Sequence, residues 1–422
     1  MSFLRTNAAA GCLVGLAFAF SLTAAPACDP GNGGITLPAG FCALVVADNL
    51  GTARHLAVAQ NGDVFVALQA DGDQGGIIAL HSSKGDGKFD VKEHFGKESL
   101  TGITLRNGYL YVAGFHGVLR YKMTAGQLKP SGEPETIVTG LPGVEQHGDK
   151  TMAFDNKGSM YVNVGAPANA CQEKDRTLHS PGLDPCPLLE KNGGVWKFSE
   201  SKLGQKQEDG VKFATGLRQM PAMAWHGDAL FITMNSRDQL DQLWPGMFTA
   251  KENAERPAEP MFRAVQGSDF GWPYCFFDYG LKKFILNPEY GGDGKKVGRC
   301  TAFTPAVVAF PAHWAPVDMM FYSGAQFPAH YKEGSFIAFH GSWNRAPEEQ
   351  QGFNVVFQPF SGGKPSGNFE VFADGFKGMA HITNPDSAVA RPDGVAEGPD
   401  GSLYITDSQK GKIWRVLYKG GK

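Results

Sequence analysis

The sequence lacks the short motifs that identify several large enzyme classes. It has no Cys-x-x-Cys pair, which argues against the usual structural zinc ribbon, the thioredoxin motif and the c-type haem attachment site. It also has no Gly-x-Ser-x-Gly, no His-Glu-x-x-His, no P-loop and no Gly-x-Gly-x-x-Gly between a strand and a helix. These absences argue against serine hydrolases, zincin proteases and nicotinamide-dependent enzymes.

The chain also lacks long charged runs and, beyond its N-terminus, long apolar runs. Its net charge is −3 over 422 residues without a block of Lys or Arg, which argues against a nucleic-acid partner. No stretch after the N-terminus reaches the roughly 18 apolar residues that a membrane-spanning helix needs, so we expect no stable membrane insertion of the mature protein. Glycine and proline are plentiful instead, with 55 and 26 residues, as is typical of a turn-rich all-β protein.

The first 27 residues have the features of a secretory signal peptide. Arg5 precedes an apolar region from Ala8 to Leu22, and the small residues Ala25 and Ala27 form a cleavage site before Cys28. An uncleaved membrane anchor is the alternative. We expect an exported protein, periplasmic or secreted, in which residues 28–422 form a single domain.

Six cysteines remain after removal of this segment. An even number in an exported chain predicts disulfides, with free buried thiols as the alternative. The partners of each expected pair lie close together in the chain: Cys28 with Cys42, Cys171 with Cys186, and Cys275 with Cys300. The long loop between Cys171 and Cys186 is a candidate wall for a substrate site, or a simple insertion.

A repeated pattern sets the fold. An apolar pair, a short turn with Asn, Asp or Gly, and an alternating strand recur six times, which predicts six hairpins with one buried face each. The repeats are LAVAQNGDVFVAL from Leu56, ITLRNGYLYVAG from Ile103, MAFDNKGSMYVNVG from Met152, MAWHGDALFITMN from Met223, MFYSGAQFPAHYKEGSFIAFH from Met320 and VAEGPDGSLYITD from Val395. Their spacing is close to that of propeller blades with inserted loops. We therefore predict an all-β, six-bladed β-propeller with long inserted loops, closed by the segment from Cys28 to Leu50.

Four basic residues occupy related positions before these hairpins. Alignment of the turns places Arg218 and Arg391 at the same position, with His147 one position earlier and Arg54 about three later. Equivalent positions before the innermost strands of a propeller ring one end of its axis. Three arginines and a histidine there predict a site for a small polyanion, with separate inter-blade salt bridges as the alternative. His147 suits the role of general base, because its ordinary pKa lies near neutrality.

The same segments carry a family resemblance. EQHGDKTMAFDNKGSMYVNVG, FATGLRQMPAMAW, GSDFGWPYC, FHGSWNR and RPDGVAEGPDGSLYITD, taken in order, resemble the soluble sugar dehydrogenases that depend on pyrroloquinoline quinone (PQQ), in particular the sorbosone and pyranose dehydrogenase branch. The resemblance covers nearly the whole mature chain. It implies that PQQ lies over the propeller axis, held by arginines and a Ca²⁺ ion.

The resemblance also implies individual roles. His147 corresponds to the base that removes the hydroxyl proton, Arg218 to the arginine beside the reacting quinone carbonyl, and Arg391 to a carboxylate-binding arginine. Gln219 follows where glucose enzymes have Asn. The calcium is expected near Ser236 and Arg237, largely on main-chain carbonyls.

The sequence departs from the glucose enzymes of this family at several positions. Their acidic residue after the blade-three strand is replaced within VGAPAN, by Ala166 or at best Asn169, and the second arginine of the blade-six pair appears as Asp393. The blade-five lysine is replaced within GSWNR, which leaves Asn344 or Arg345 nearby. Trp343 could cover the quinone, line a sugar pocket or pack in the core.

The sequence thus predicts oxidation of an aldose or a related, sorbosone-like sugar. Because the chain has no haem site, the electrons must pass to a separate acceptor such as a cytochrome or a quinone. A calcium-dependent lactonase and a propeller that binds glycans or proteins without catalysis are the alternatives. A lactonase would usually show acidic side chains around the axis, whereas exposed aromatic patches without cofactor uptake would favour the binding module.

Overall fold

The computed structural model describes residues 26–378 and 381–420. Almost all of the predicted signal peptide, residues 1–27, therefore lies outside the described residues. Within the described part, the chain forms six blades of four antiparallel strands, one of which carries a short fifth strand, and this confirms the predicted six-bladed β-propeller. No helix in this part of the chain is both long enough and apolar enough to cross a membrane.

The first three blades follow one another along the chain, each built from four strands. Blade one contains Ala53–Val58, Val64–Leu68, Gly76–His81 and Val91–Phe95. Blade two contains Leu100–Arg106, Tyr109–Gly114, Gly117–Lys122 and Glu135–Val138. Blade three contains Met152–Phe154, Ser159–Val164, Gly194–Ser199 and Val211–Thr215, with the short parallel strand Ser268–Asp269 on its outer edge.

The remaining blades carry the longer insertions. Blade four contains Met223–His226, Ala229–Thr233, Glu259–Ala264 and Val308–Phe310. Blade five contains Pro316–Phe321, Ser335–Phe339, Asn354–Gln358 and Glu370–Ala373. Blade six contains Pro392–Glu397, Leu403–Asp407, Ile413–Tyr418 and, from the other end of the chain, Phe41–Ala47.

The other regular elements are short and lie in the connections. Two hairpins pair Cys275–Asp278 with Lys283–Leu286 and Phe360–Ser361 with Lys364–Pro365. The α-helices are Leu240–Leu243 and Ala250–Glu255. The 3₁₀ segments are Pro30–Gly34, Gly72–Gln74, Pro187–Glu190, Gln207–Asp209, Pro288–Tyr290, Gly298–Ala302, Ala329–Tyr331, Trp343–Arg345 and Pro385–Ser387.

Each sequence repeat forms the first two strands of one blade. The turn at Asn107 and Gly108 shows why these residues recur: both have positive φ, 51° and 77°, as a type I′ hairpin turn requires. The first strands surround the axis and line a channel of about 360 Å³. The apolar side chains fill the junctions between neighbouring blades, as Phe231 and Phe339 do between blades four and five.

The N-terminal strand closes the ring. Phe41–Ala47 pairs antiparallel with the C-terminal strand Ile413–Tyr418 and becomes the outermost strand of blade six, as expected for the segment from Cys28 to Leu50. All three predicted disulfides are present in the structure, and they join Cys28 to Cys42, Cys171 to Cys186 and Cys275 to Cys300. The first of them ties the chain before the closing strand to the strand itself.

Closure of the ring predicts that its anchoring side chain is important for stability. The ring of Phe41 contacts four aromatic rings, those of Phe327, Tyr331, Phe372 and Tyr418, at centroid distances of 4.8 to 5.3 Å. We expect Phe41→Ala to lower the free energy of unfolding by about 2–4 kcal/mol, because the cavity is only partly refilled. Denaturant titration followed by fluorescence measures the change.

The control for this variant is Leu281→Ala. Leu281 is 42% exposed on an inserted hairpin turn, and its truncation should change the free energy of unfolding by no more than about 0.5 kcal/mol. Equal losses in the two variants would contradict a special role for the closing strand.

Candidate active site

A polar cavity of about 330 Å³ lies at one end of the propeller axis. It is formed where the first strands begin and the second strands end, so that loops from several blades meet. Seven of the residues singled out from the sequence line it: Arg54, His147, Arg218, Gln219, Ser236, Trp343 and Asn344. Residues distant in sequence therefore converge on one cavity.

β-bulges shape this end of the propeller. The pairing of the first two strands shifts register at the start of the first strand in blades one, two, five and six, for example between Ala53 and Leu56 and between Pro392 and Val395. Each bulge adds residues to the first strand and changes where their side chains point. Arg54 and Asp393 lie inside two of these bulges, and they pair with each other at 2.9 Å.

The main chain orients His147. Its Nδ1 donates a hydrogen bond of 2.6 Å to the carbonyl oxygen of Ala166. His147 has a positive φ of 56°, and the neighbouring Gly165 has no room for a side chain, since a Cβ there would lie 2.2 Å from the His147 carbonyl oxygen. The bond fixes the tautomer, so Nε2 is left as the proton acceptor.

Burial and positive charge keep His147 neutral. Burial and, to a smaller extent, the guanidinium of Arg218 lower the pKa of His147 to about 3, against the opposing effect of the hydrogen bond to Ala166. The imidazole therefore remains in its basic form throughout the neutral range.

Arg218 is buried at the floor of the cavity. Its side chain is 2% exposed, and it donates to the carbonyl oxygen of Ser236 at 2.8 Å and to the carboxylate of Asp238 at 2.5 Å. Burial lowers the pKa of Arg218, but Asp238 stabilises its charge. Its Nε has no hydrogen-bond partner among the described residues.

Arg54 lies between two carboxylates. It contacts Asp149 at 3.3 Å and Asp393 at 2.9 Å, and Asp393 is fully buried. Burial raises the pKa of Asp393 to about 6, although the charge of Arg54 acts in the opposite direction. The aspartate that replaces the expected second arginine of blade six thus serves as the counter-ion of Arg54, whose Nε also lacks a partner among the described residues.

Three predicted residues do not line the cavity. Arg237 is buried in an ion pair with Glu289 at 2.6 Å, and Arg345 donates to main-chain carbonyls. Arg391 donates to the carbonyl oxygens of His340 and Gly341, at 3.1 and 2.8 Å, and thereby supports the segment that carries Trp343.

The cavity also contains residues that the sequence patterns did not single out. They are Gln146, Asp149, Arg176, Asn235, Asp238, Glu259, His313, Ala315, Val317, His340 and Ser342. Arg176 comes from the loop between Cys171 and Cys186, which the sequence analysis named as a candidate wall. Its distance from any repeat explains why alignment of the turns did not find it.

Residues that line the cavity carry two sets of unsatisfied polar atoms. The donors are the Nε atoms of Arg54 and Arg218, and the acceptors are Asn235 Oδ1, Ser236 Oγ and Asn344 Oδ1, all buried without a hydrogen-bond partner among the described residues. Buried polar atoms are costly to leave unpaired. The donors fit an anionic ligand and the oxygens fit a hard cation such as Ca²⁺.

Comparison with known proteins identifies the family. The family model described as TrAA12-like matches residues 35–419. The chain belongs to the TrAA12-like family. This confirms the resemblance at the level of the family.

Two curated relatives of this TrAA12-like protein match more distantly. An uncharacterized protein of Borreliella burgdorferi is 26% identical over 279 residues, which cover 65% of this chain and 62% of the relative. A pyrroloquinoline quinone-dependent pyranose dehydrogenase of Coprinopsis cinerea is 24% identical over 250 residues, which cover 53% of this chain and 31% of the relative. The match thus spans less than two thirds of either curated relative.

Solved structures share the TrAA12-like fold over nearly its whole length. The holo form of the pyranose dehydrogenase PQQ domain from Coprinopsis cinerea gives a TM-score of 0.71 at 17% identity and covers 91% of this chain and 97% of that one. The calcium structure of the Trichoderma reesei family AA12 protein gives 0.73 at 17% identity, with the same coverage. The apo aldose sugar dehydrogenase of Escherichia coli gives 0.56 at 15% identity and covers 90% of this chain and 99% of that one.

The described part of this TrAA12-like chain contains no cluster of three or more His, Cys, Asp or Glu side chains able to hold a metal. The unsatisfied oxygens belong to Asn and Ser side chains, which such a cluster does not include. A cation site built from them and from main-chain carbonyls leaves little trace in sequence patterns.

The environment of His147 predicts its titration. In the protein without bound ligand, we expect no protonation of His147 between pH 8 and pH 5, because burial and Arg218 favour the neutral imidazole. NMR of protein labelled at the histidine nitrogens measures this, and His147→Gln assigns the signal. A midpoint for His147 near its ordinary pKa would contradict the buried arrangement.

Proposed function

We propose that this protein is an exported dehydrogenase that uses PQQ and Ca²⁺ to oxidise a pyranose or a related aldose, including sorbosone-like sugars. The observation that carries the proposal is one cavity that joins a neutral, oriented His147, two buried guanidinium groups with unused donors and a set of unsatisfied oxygens. The relatives support it, because the Coprinopsis cinerea protein is a PQQ-dependent pyranose dehydrogenase and its solved domain is a holo form.

The residues fit a flat polyanion at the cavity floor. PQQ carries three carboxylates and, when bound, supplies the quinone that takes up a hydride from the sugar carbon. Arg54 and Arg218 offer buried donors to such an anion, and their charges are already held in place by Asp149, Asp393 and Asp238. No reorganisation of the guanidinium groups is needed, which favours binding.

His147 is the proton acceptor in this proposal. Its Nε2 takes the proton of the sugar hydroxyl while Nδ1 remains bonded to the carbonyl of Ala166. Arg218 lies close enough to lower the pKa of His147 and provides donors where negative charge develops on an oxygen. The charge of Arg218 also favours transfer of the proton away from His147 after the reaction.

The unsatisfied oxygens are the proposed calcium ligands. Asn235 and Ser236 follow the second strand of blade four, Asn344 follows the second strand of blade five, and all three line the cavity. A solved structure of the Trichoderma reesei relative is described as its calcium structure. Ca²⁺ at this place would act as a Lewis acid and offset the negative charge of the cofactor.

The cavity rim suits a sugar. Trp343 is 49% exposed beside the opening, so its ring can pack against the apolar face of a pyranose.

The electrons pass to a separate acceptor, such as a cytochrome or a quinone. Three disulfides support an exported location, because such bonds persist in oxidising compartments.

Cofactor uptake tests the proposal directly. The purified protein should bind PQQ in the presence of Ca²⁺, and Arg218→Gln should weaken this binding at least tenfold, because a buried charged donor is lost. Titration calorimetry measures the affinity. Arg299→Gln removes an arginine outside the cavity, paired with Asp184, and should leave it unchanged. A folded wild-type protein that takes up no PQQ would sink the quinone proposal and favour a lactonase or a binding module.

His147→Ala separates binding from catalysis. We expect this variant to retain PQQ and to lose about 10²–10⁴-fold in kcat with a panel of aldoses and an artificial electron acceptor, because the general base is removed. Steady-state kinetics measure the loss. Wild-type turnover in this variant would assign the proton transfer to another group.

The calcium ligands can be tested without turnover. Asn344→Ala should weaken Ca²⁺ binding to the protein about tenfold or more, because an unsatisfied ligand oxygen is removed. Calorimetric titration with Ca²⁺ measures the change, and Asn107→Gly, in a hairpin turn of blade two, is the control. An unchanged affinity in Asn344→Ala would place the cation elsewhere.

A further inference from the structure

Arg176 is held in the cavity by hydrogen bonds from all three nitrogens of its guanidinium group. Its Nε donates to Gln146 at 3.1 Å, its Nη1 to Gln239 at 2.6 Å and its Nη2 to Asp238 at 3.0 Å. These three partners come from two segments, the loop of His147 and the insertion after the second strand of blade four. Every nitrogen of the guanidinium is thereby fixed in position.

The disulfide-tied loop delivers this arginine to the cavity. Arg176 has a positive φ of 51°, and its amide donates to the side chain of Gln172 at 2.9 Å. Next to it, Asp175 accepts from the amide of Asn169 and from the side chain of Gln146, at 2.9 and 3.0 Å. The loop is thus built to place one guanidinium at one point, a geometry that a merely solvated arginine would not need.

Exposure divides the cavity arginines into two groups. The side chains of Arg54 and Arg218 are 9% and 2% exposed, whereas that of Arg176 is 25% exposed. Arg176 therefore lies at the rim, like Trp343, and not at the floor. A guanidinium has more N–H groups than its three bonds use, so Arg176 keeps donors for a ligand that enters after the floor is filled.

The charge of Arg176 acts close to His147. Asp238 pairs with Arg218 at 2.5 Å and with Arg176 at 3.0 Å, and Asp175 lies 3.8 Å from Arg176. Arg176 is also close enough to lower the pKa of His147. The guanidinium of Arg176 therefore lies near the proposed proton acceptor.

We propose that Arg176 is the specificity-determining residue of the site and donates hydrogen bonds to the hydroxyl oxygens that neighbour the oxidised carbon of a pyranose. The inference rests on the proposed function and adds to it which hydroxyl groups of the sugar the protein recognises. A sugar with a hydroxyl group on the carbon next to the oxidised one should be a better substrate than the analogue in which that hydroxyl is missing. In the deoxy analogue Arg176 loses a hydrogen-bond acceptor.

The experiment compares Arg176→Gln with the wild-type holoprotein. For the best aldose of a panel, we expect KM to rise about tenfold while kcat changes less than about threefold, because a rim contact positions the sugar without touching the transferred proton. For the monodeoxy analogue that lacks the contacted hydroxyl, the same substitution should leave KM unchanged. PQQ affinity, measured by calorimetry before any sugar is added, should also be unchanged.

Two further variants keep the test decisive. Arg299→Gln changes an arginine of the Cys275–Cys300 insertion, which pairs with Asp184 of the Arg176 loop outside the cavity, and should leave KM for every sugar at its wild-type value. Arg176→Lys retains the positive charge but lacks the planar guanidinium, so it should give a KM between those of the wild type and Arg176→Gln. If Arg176→Gln does not fold, the KM of the lysine variant still tests the inference.

Several outcomes would overturn the inference. Weaker PQQ binding in Arg176→Gln would make Arg176 a cofactor ligand. Equal rises in KM for the parent sugar and for all its deoxy analogues would make it a structural residue. A wild-type protein that binds PQQ but oxidises no sugar would overturn the inference together with the substrate class of the proposed function, whereas normal sugar oxidation with unchanged KM in the variant would overturn the inference alone.

Discussion

Closure of the ring is the constraint on which the site depends. Phe41–Ala47 completes blade six by pairing with Ile413–Tyr418, so the two ends of the chain hold the six blades in a circle. Only in that circle do the starts of the first strands face one another. Arg54 in blade one and Asp393 in blade six are more than three hundred positions apart, yet they form an ion pair at 2.9 Å because the junction between the two blades is closed.

Within that frame the cavity is organised by charge balance. A buried guanidinium group needs partners that compensate its lost hydration, and the carboxylates of Asp238 and Asp149 supply them for Arg218 and Arg54. The pairs hold the arginines in one geometry while leaving an Nε on each without a partner. The cavity thus combines rigid cations with unused donors, which is the arrangement that a preformed anion site requires.

The sequence patterns predicted the fold and part of the candidate site. The six hairpin repeats predicted the blades because turn residues with positive φ and alternating strands are local properties, and the disulfides followed from spacing and number. The ring of His147, Arg218 and Arg54 followed from equivalent positions in those repeats. Arg391 shares such a position, but its side chain supports a loop segment beside the cavity, since equivalent backbone positions do not fix where a long side chain ends.

Other residues of the cavity could not be predicted from the sequence, for physical reasons. Asp238 and Arg176 lie in inserted loops, whose course depends on contacts with distant segments and follows no period. Ser236 and Arg237 are neighbours in the chain, yet one faces the cavity and the other is buried against Glu289. The counter-ion role of Asp393 depends on a β-bulge between Pro392 and Val395. A bulge interrupts the alternation of inward and outward side chains, so the alternating sequence pattern does not predict where Asp393 points.

The hydrogen bond from His147 to the carbonyl of Ala166 has an evolutionary consequence. In enzymes whose base is oriented by an acidic side chain, one substitution removes the orienting group, so that position is under strong selection. Here the orienting atom belongs to the backbone and is present whatever residue occupies position 166, provided that it fits the buried space. The orientation of the His147 ring therefore tolerates substitution at position 166, because a change of side chain there does not remove the accepting carbonyl.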